Sequence, residues 1–171
     1  MVEIKELVHN YLKDLNPKSV LDLGCGEGKK SIRFLKKGAK VTGVDKKEIK
    51  INNINFNFIK EDIKNFKIEE DYDLIIASLI LHLFRKEKAI EIIIKIKEKT
   101  YKNGFNFLIC MSNKDDYSKS NMDNFYPNLE ELERLYSDWD IIKRDQINTD
   151  LKNHGDLEHS HNLLFLLAKK N

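Results

Sequence analysis

Three groups of residues in this chain have the types and spacing to do chemistry. The first is Asp22-x-Gly24-x-Gly26-x-Gly28, an acid followed by three glycines at alternate positions. Backbone without a Cβ can lie close against a flat ligand. A carboxylate ahead of the first glycine attracts a cationic ammonium group and opposes a pyrophosphate. A dinucleotide loop calls for Gly-x-Gly-x-x-Gly, whereas here the third glycine comes one place early and Lys29 stands where that motif has its last glycine. The second is Asp45, which closes the run Lys40-Val41-Thr42-Gly43-Val44 and is placed to accept hydrogen bonds from the two hydroxyls of a ribose. Its alternative is an N-cap for the residues from Lys46 onward. The third is His154, His159 and His161, three of the five histidines. Imidazoles so close could hold an oxyanion when protonated, act as a general base, or ligate a metal; a polar hairpin loop with incidental histidines is the alternative.

These groups meet only if strands and helices bring them to one place. Residues 19–23 form a short apolar strand into the glycines, and residues 29–37 restart with helical spacing, closed by Gly38. Residues 40–45 and 56–59 read as the second and third strands, the latter followed by Asp62-Ile63. The run 73–78 is continuously apolar up to Ser78, as a central parallel strand buried on both faces requires. His82, among apolar residues just beyond it, reads as a packed, hydrogen-bonded histidine.

Residues 86–99 form an amphipathic helix, and Asn103-Gly104 turns into a fifth strand at 105–111. Residues 112–128 are polar, with Tyr117, Met122, Phe125 and Tyr126 scattered among them, which suits a lid or pocket wall and also a surface excursion. A helix at 129–136, a sixth strand at 139–144 with Trp139 in the core, and a last strand at 162–168 complete the chain. If that last pairing starts early, His159 and His161 share a face. Residues 2–15 form a helix capping the first strand, ended by Asn16-Pro17.

The alternation of strands and helices predicts an α/β fold: a three-layer doubly wound sheet with right-handed crossovers. We expect seven strands in the order 3-2-1-4-5-7-6, with the last strand antiparallel because the final pair is hairpin-like. The 171 residues suit one domain, 1–171, with 1–16 as its cap. Lys and Arg number 30 against 28 Asp and Glu, a net charge of +2, so no basic excess announces a nucleic-acid surface. No stretch reads as a signal peptide or reaches membrane-spanning length. The two cysteines, Cys25 and Cys110, lie far apart without metal-ligand spacing. We therefore expect no metal, no membrane, a cytoplasmic setting and a monomer or homodimer.

The motif Val20-Leu21-Asp22-Leu23-Gly24-Cys25-Gly26-Glu27-Gly28 resembles motif I of the class I S-adenosylmethionine-dependent methyltransferases. Together with Leu135-Tyr136-Ser137-Asp138-Trp139-Asp140 and the histidine-bearing loop before the last strand, it is similar to the tellurite-resistance (TehB) type. The resemblance implies the Rossmann-like methyltransferase fold. It also implies S-adenosylmethionine as cofactor, held by Asp22, Gly24, Cys25, Gly26, Gly28, Asp45, Lys46, Asp62, Ile63 and Ser78. The acid faces the methionine amino group, often through water; Asp62 meets the adenine amino group and Ile63 packs on the ring. The acceptor implied is a small molecule, such as the chalcogen oxyanions tellurite and selenite, with His154, His159 and His161 as catalytic residues. Members of this type carry His and Arg in the last loop, and here no arginine follows Arg144. A methyltransferase for another small metabolite (thiol, hydroxyl or amine) and a non-catalytic S-adenosylmethionine-binding module are the alternatives.

Overall fold

A computed structural model describes residues 4–149, 152–154 and 157–171, with backbone alone at 152–154 and 157–159. The strands are β1 (Ser19–Leu23), β2 (Lys40–Asp45), β3 (Phe56–Lys60), β4 (Tyr72–Ser78), β5 (Thr100–Met111), β6 (Asp140–Asn148), β7 (Lys152–His154), β8 (Leu157–His159) and β9 (Asn162–Lys169). The helices are α1 (Ile4–Leu12), α2 (Lys29–Leu35), α3 (Lys86–Glu98), α4 (Asp116–Ser120) and α5 (Leu129–Arg134), with a 3-10 turn at Leu81–Leu83.

Seven strands form one sheet in the order β3-β2-β1-β4-β5-β9-β6. The first five are parallel, and β9 runs antiparallel to both β5 and β6. Numbered by their order in the sheet-forming chain, this is 3-2-1-4-5-7-6. Period-two alternation explains the layers. On β9, Leu163, Phe165 and Leu167 join Tyr11, Leu12, Phe34 and Leu35 on one face of the sheet. Leu164, Leu166 and Ala168 join Ala89, Ile92, Ile93, Ile96 and Leu132 on the other. Helices α1 and α2 therefore cover one face, and α3 and α5 cover the other. The α1 cap reaches further than the first strand: the Tyr11 ring lies 5.5 Å from Phe107 and 5.8 Å from Phe165, on β5 and β9.

Two features of the strands differ from the sequence reading. β5 begins at Thr100 instead of after Asn103-Gly104, because Asn103 takes a positive φ of 63° within the strand and Gly104 lets the chains close up. A Cβ at Gly104 would stand 2.8 Å from the Tyr101 carbonyl oxygen and 2.9 Å from that of Asp73. The tail also contains a two-stranded β7–β8 pair, separate from the main sheet. It places His159 on β8, while β9 starts only at Asn162, so His159 and His161 do not share a face of one strand.

The Leu135 to Asp140 stretch proves to be core architecture. The Tyr136 hydroxyl donates to Asn106 Oδ1 at 3.0 Å, Asn106 Nδ2 donates to Thr100 Oγ1 at 2.7 Å, and Thr100 Oγ1 donates to the Ile96 carbonyl at 2.6 Å. Trp139, 7% exposed as expected of a core residue, meets Tyr136 edge-on at 5.4 Å. Tyr136→Phe would leave Asn106 Oδ1 buried without its donor. We expect a loss of about 1–3 kcal/mol, read as a lower urea midpoint at unchanged slope; an unchanged midpoint would remove the relay from the stability account.

Candidate active site

The loop Gly24 to Gly28 is shaped by three left-handed glycines, with φ of 66°, 54° and 71° at Gly24, Gly26 and Gly28. β2 ties it down. The Gly24 and Cys25 amides donate to the Val44 carbonyl at 2.8 and 3.1 Å, and the Gly26 amide donates to Asp45 Oδ2 at 2.9 Å. Asp45 Oδ1 accepts from the Lys47 amide at 2.9 Å, a local turn with no helix following it. Gly28 then serves as N-cap of α2.

Beside this loop, at the carboxyl ends of the parallel strands, lies a cavity of about 620 Å³. Doubly wound sheets place ligands at this edge. Gly24, Asp45, Lys46, Asp62, Ile63 and Ser78 all line it. Asp62 accepts from the Lys64 amide at 3.0 Å and pairs with Lys46 Nζ at 3.0 Å; the amide and the ammonium together hold its carboxyl below the ordinary range. The sequence reading missed the wall opposite: Leu79, Ile80, Leu83, Phe84, Arg85, Lys88 and Asn124. Leu79 carries a positive φ of 56°, a conformation that a non-glycine residue holds only under constraint from its surroundings.

Asp22 and Cys25 sit beneath the loop, outside the cavity lining. Asp22 is 1% exposed; its Oδ2 accepts from Ser31 Oγ at 2.8 Å, and its Oδ1 has no partner. Burial pushes its pKa up, against the opposing influence of Lys30. The Cys25 thiol packs where a Gly43 Cβ would stand, 3.1 Å away, and burial pushes it up to about 12. Gly26 and Gly28 contribute loop backbone alone.

The raised Asp22 pKa makes a signed prediction. A carboxyl whose folded-state pKa exceeds its unfolded value contributes stability that is full below the unfolded value and lost as pH rises through the folded one. The melting temperature of the ligand-free wild type, minus that of Asp22→Asn, should therefore fall as pH rises above the ordinary Asp value of about 3.9. A difference that rises with pH would show that Asp22 is held as a stabilised carboxylate.

Two strands along the same edge stands a second constellation. Asp115, with a fully buried side chain, accepts from the amides of Tyr117 (3.0 Å) and Asn162 (2.9 Å) and lies 3.1 Å from His161 Nδ1. The Tyr117 ring is 5.5 Å from that of His161, and the Tyr126 ring is 6.1 Å from that of His82. His82 was expected to be hydrogen-bonded, yet its buried Nδ1 has no partner. Burial holds its pKa down, the Asp115 charge opposing. Of the three expected histidines only His161 can be placed here; the side chains of His154 and His159 lie outside the described residues. Within residues 112–128, Ser112, Asp115, Phe125 and Pro127 are buried, and the Phe125 amide donates to the Phe84 carbonyl at 3.0 Å, while Tyr117 and Met122 are exposed.

Sheet order, glycine loop and edge cavity together define the fold of the class I S-adenosylmethionine-dependent methyltransferases. The profile of the family described as "Tellurite resistance protein TehB" matches residues 1–162, and the chain belongs to that family. It is 30% identical over 140 residues to a Haemophilus influenzae protein named probable S-adenosyl-L-methionine-dependent methyltransferase TehB, covering 77% of this chain and 49% of that one. The chain thus spans about half the length of that relative. The crystal structure of TehB from Haemophilus influenzae superposes with a TM-score of 0.80 at 25% identity, covering 100% of this chain and 64% of that one. The N-methyltransferase NodS from Bradyrhizobium japonicum, solved in complex with S-adenosyl-L-homocysteine, shares the fold with a TM-score of 0.71 at 12% identity, over 97% and 84% of the two chains.

Proposed function

We propose that this chain transfers a methyl group from S-adenosylmethionine to a small-molecule acceptor. The observation that carries the reading is the lining of one edge cavity by Gly24, Asp45, Asp62, Ile63 and Ser78 beside a loop of left-handed glycines. The residues fit the donor. Gly24 leaves a cradle that a Cβ would fill, since one would stand 2.3 Å from Ile80 Cγ2. The buried Asp22 Oδ1 has no hydrogen-bond partner, and an ammonium group can reach it through water. Asp45 and Asp62 retain lone pairs for the ribose hydroxyls and the adenine amino group, and Ile63 offers an apolar face to the ring.

When bound, the donor supplies a methyl group on a sulfonium, already a good leaving group. The chain's task is to align the acceptor and keep water out, an effect that can contribute about 7–11 kcal/mol. Ser78, Leu79 and Ile80 close the cavity floor at the end of β4. His161, with His154 and His159 on the adjoining hairpin, forms the acceptor side in this reading. The relatives' name makes tellurite one candidate acceptor and selenite its chemical neighbour; a thiol, hydroxyl or amine metabolite is the other class. We further read residues 1–171 as one domain working in the cytoplasm, as monomer or homodimer, with no nucleic-acid or membrane partner. No helix among the described residues is long and apolar enough to cross a membrane. Incubation with methyl-labelled donor and a panel of small acceptors should transfer label to a small molecule. Donor binding with no transfer to any acceptor would favour the non-catalytic module.

A further inference from the structure

We propose that the acceptor is an amphipathic organic carboxylate, its apolar body against Leu79, Leu83 and Phe84 and its carboxylate on Arg85, and not a chalcogen oxyanion. The proposal rests on the methyl-transfer reading above and names its acceptor class.

The edge cavity has two unlike sides. Asp45 ends β2 and Asp62 lies just past β3, so a donor that uses them for ribose and adenine occupies that side. The facing wall comes from the chain that follows β4 and from Asn124, which follows β5. In the sheet, β4 and β5 lie beyond β1 from β2. This wall therefore bounds the space left for an acceptor.

The wall is apolar where the body of a ligand would rest. Leu79 is 37% exposed and Leu83 is 64% exposed, and both line the cavity. Apolar side chains open to water gain by being covered. Leu79 keeps its left-handed φ of 56° while its amide donates to the Ile109 carbonyl at 2.8 Å, so the end of β5 holds a strained residue in place at the cavity. A tellurite or selenite ion has no apolar surface with which to cover these side chains.

Arg85 supplies the charge. A guanidinium is a planar fork that matches the two oxygens of a carboxylate. The neighbouring cations are committed: Lys86 pairs with Glu131 at 2.6 Å, Lys88 with Glu91 at 3.0 Å and Lys46 with Asp62 at 3.0 Å. Arg85 has no ion pair or side-chain hydrogen bond among the described residues. Lys64, the other lining cation without an ion pair, follows Asp62 and Ile63 on the donor side. The two lining acids, Asp45 and Asp62, already accept backbone amides. The backbone that carries Arg85 is fixed as well. Arg85 and Asn124 form an antiparallel bridge, flanked by the Lys86 amide donating to the Asp123 carbonyl at 3.1 Å and the Phe125 amide donating to the Phe84 carbonyl at 3.0 Å. Asn124 Nδ2 also donates to the His82 carbonyl at 3.0 Å. Leu83, Phe84 and Arg85 are consecutive, so a ligand charged at one end meets both surfaces, and a wall ordered in advance reduces the cost of binding it.

The test has two arms on the full chain. In the first, the protein saturated with S-adenosylhomocysteine is titrated with 4-methylbenzoate and with 4-methylbenzyl alcohol. The carboxylate should bind more tightly than the alcohol. Arg85→Ala should weaken its binding by roughly tenfold, the low end for hydrogen bonds to a charged group, and Leu83→Ser should weaken it several-fold. Arg85→Lys keeps the charge without the fork and should fall between wild type and Arg85→Ala. S-adenosylhomocysteine affinity should stay within about twofold of wild type in all three variants, as their side chains face the other side of the cavity. A carboxylate bound no better than the alcohol, or binding unmoved in Arg85→Ala, overturns the proposal. So does an equal loss of S-adenosylhomocysteine affinity in Arg85→Ala, which would give the guanidinium to the donor's own carboxylate. In the second arm, 4-mercaptobenzoate, 4-methylbenzenethiol, selenite and tellurite are offered with labelled donor. A lower KM for the mercaptobenzoate than for the neutral thiol is expected, with that preference shrinking in Arg85→Ala. Methylation confined to selenite or tellurite overturns the proposal while leaving methyl transfer intact. Failure of the wild type to bind S-adenosylhomocysteine would instead refute the reading on which it rests.

Discussion

Gly24→Ala is expected to damage both the fold and the donor site. The left-handed φ of 66° alone costs an alanine about 1–3 kcal/mol. Its Cβ would also stand 2.3 Å from Ile80 Cγ2 and 3.3 Å from Ile63 Cδ1. Ile80 is 4% exposed and has little room to retreat, so overpacking adds about 1–3 kcal/mol more. The melting temperature should fall by on the order of 10 °C, and Ile63 and Ile80, both cavity walls, should shift into the donor's space. Gly26→Ala is the control: a Cβ there meets nothing within 4 Å, so only the backbone cost applies. Equal losses of stability in the two variants would show that the Gly24 contact is dispensable.

Asp45→Ala should weaken donor binding by about 1.5–3 kcal/mol, the range for hydrogen bonds to a charged group, or roughly 10- to 150-fold in Kd. The structure adds a reason beyond the ribose. The same carboxylate accepts from the Gly26 and Lys47 amides at 2.9 Å each, so the loop loses its tie to β2 along with the ligand contact. Asp45→Asn keeps one carbonyl oxygen as acceptor and should lose less. Titration calorimetry with S-adenosylhomocysteine reads both, and an unchanged Kd in Asp45→Ala would remove this residue from the site.

The glycine-loop side of the edge cavity was legible because its residues are local in sequence. An apolar strand, an acid and alternate glycines sit within 20–28, and Asp45 closes the adjacent strand, so short-range patterning and sheet order were enough to bring them together. The Asp115–His161 pairing depends on distant contacts. Asp115 meets His161 at a sequence separation of 46, and in the sequence it is one acid in a polar stretch that also resembles solvated surface. The pairing exists because Asp115 sits just past the end of β5, beside the first residue of β9. His82 was judged by its apolar neighbours, which correctly indicated burial; they could not indicate that its Nδ1 would be left without a partner. The early start of β5 was hidden for a similar reason. Asn103-Gly104 is a turn signal, and the strand absorbs it through one positive φ and a side chain that Gly104 lacks. Tyr136 and Trp139 carried part of the resemblance in the sequence reading, and the structure gives both residues to the core, against Asn106 and Lys97.

The central claim is that the glycine loop and its cavity take S-adenosylmethionine. Isothermal titration of the purified chain with S-adenosylmethionine, S-adenosylhomocysteine and NADH tests it most directly. Saturable binding of the first two at one site per chain, with no heat from NADH, is the predicted result. Binding of NADH without binding of either adenosyl compound would contradict it.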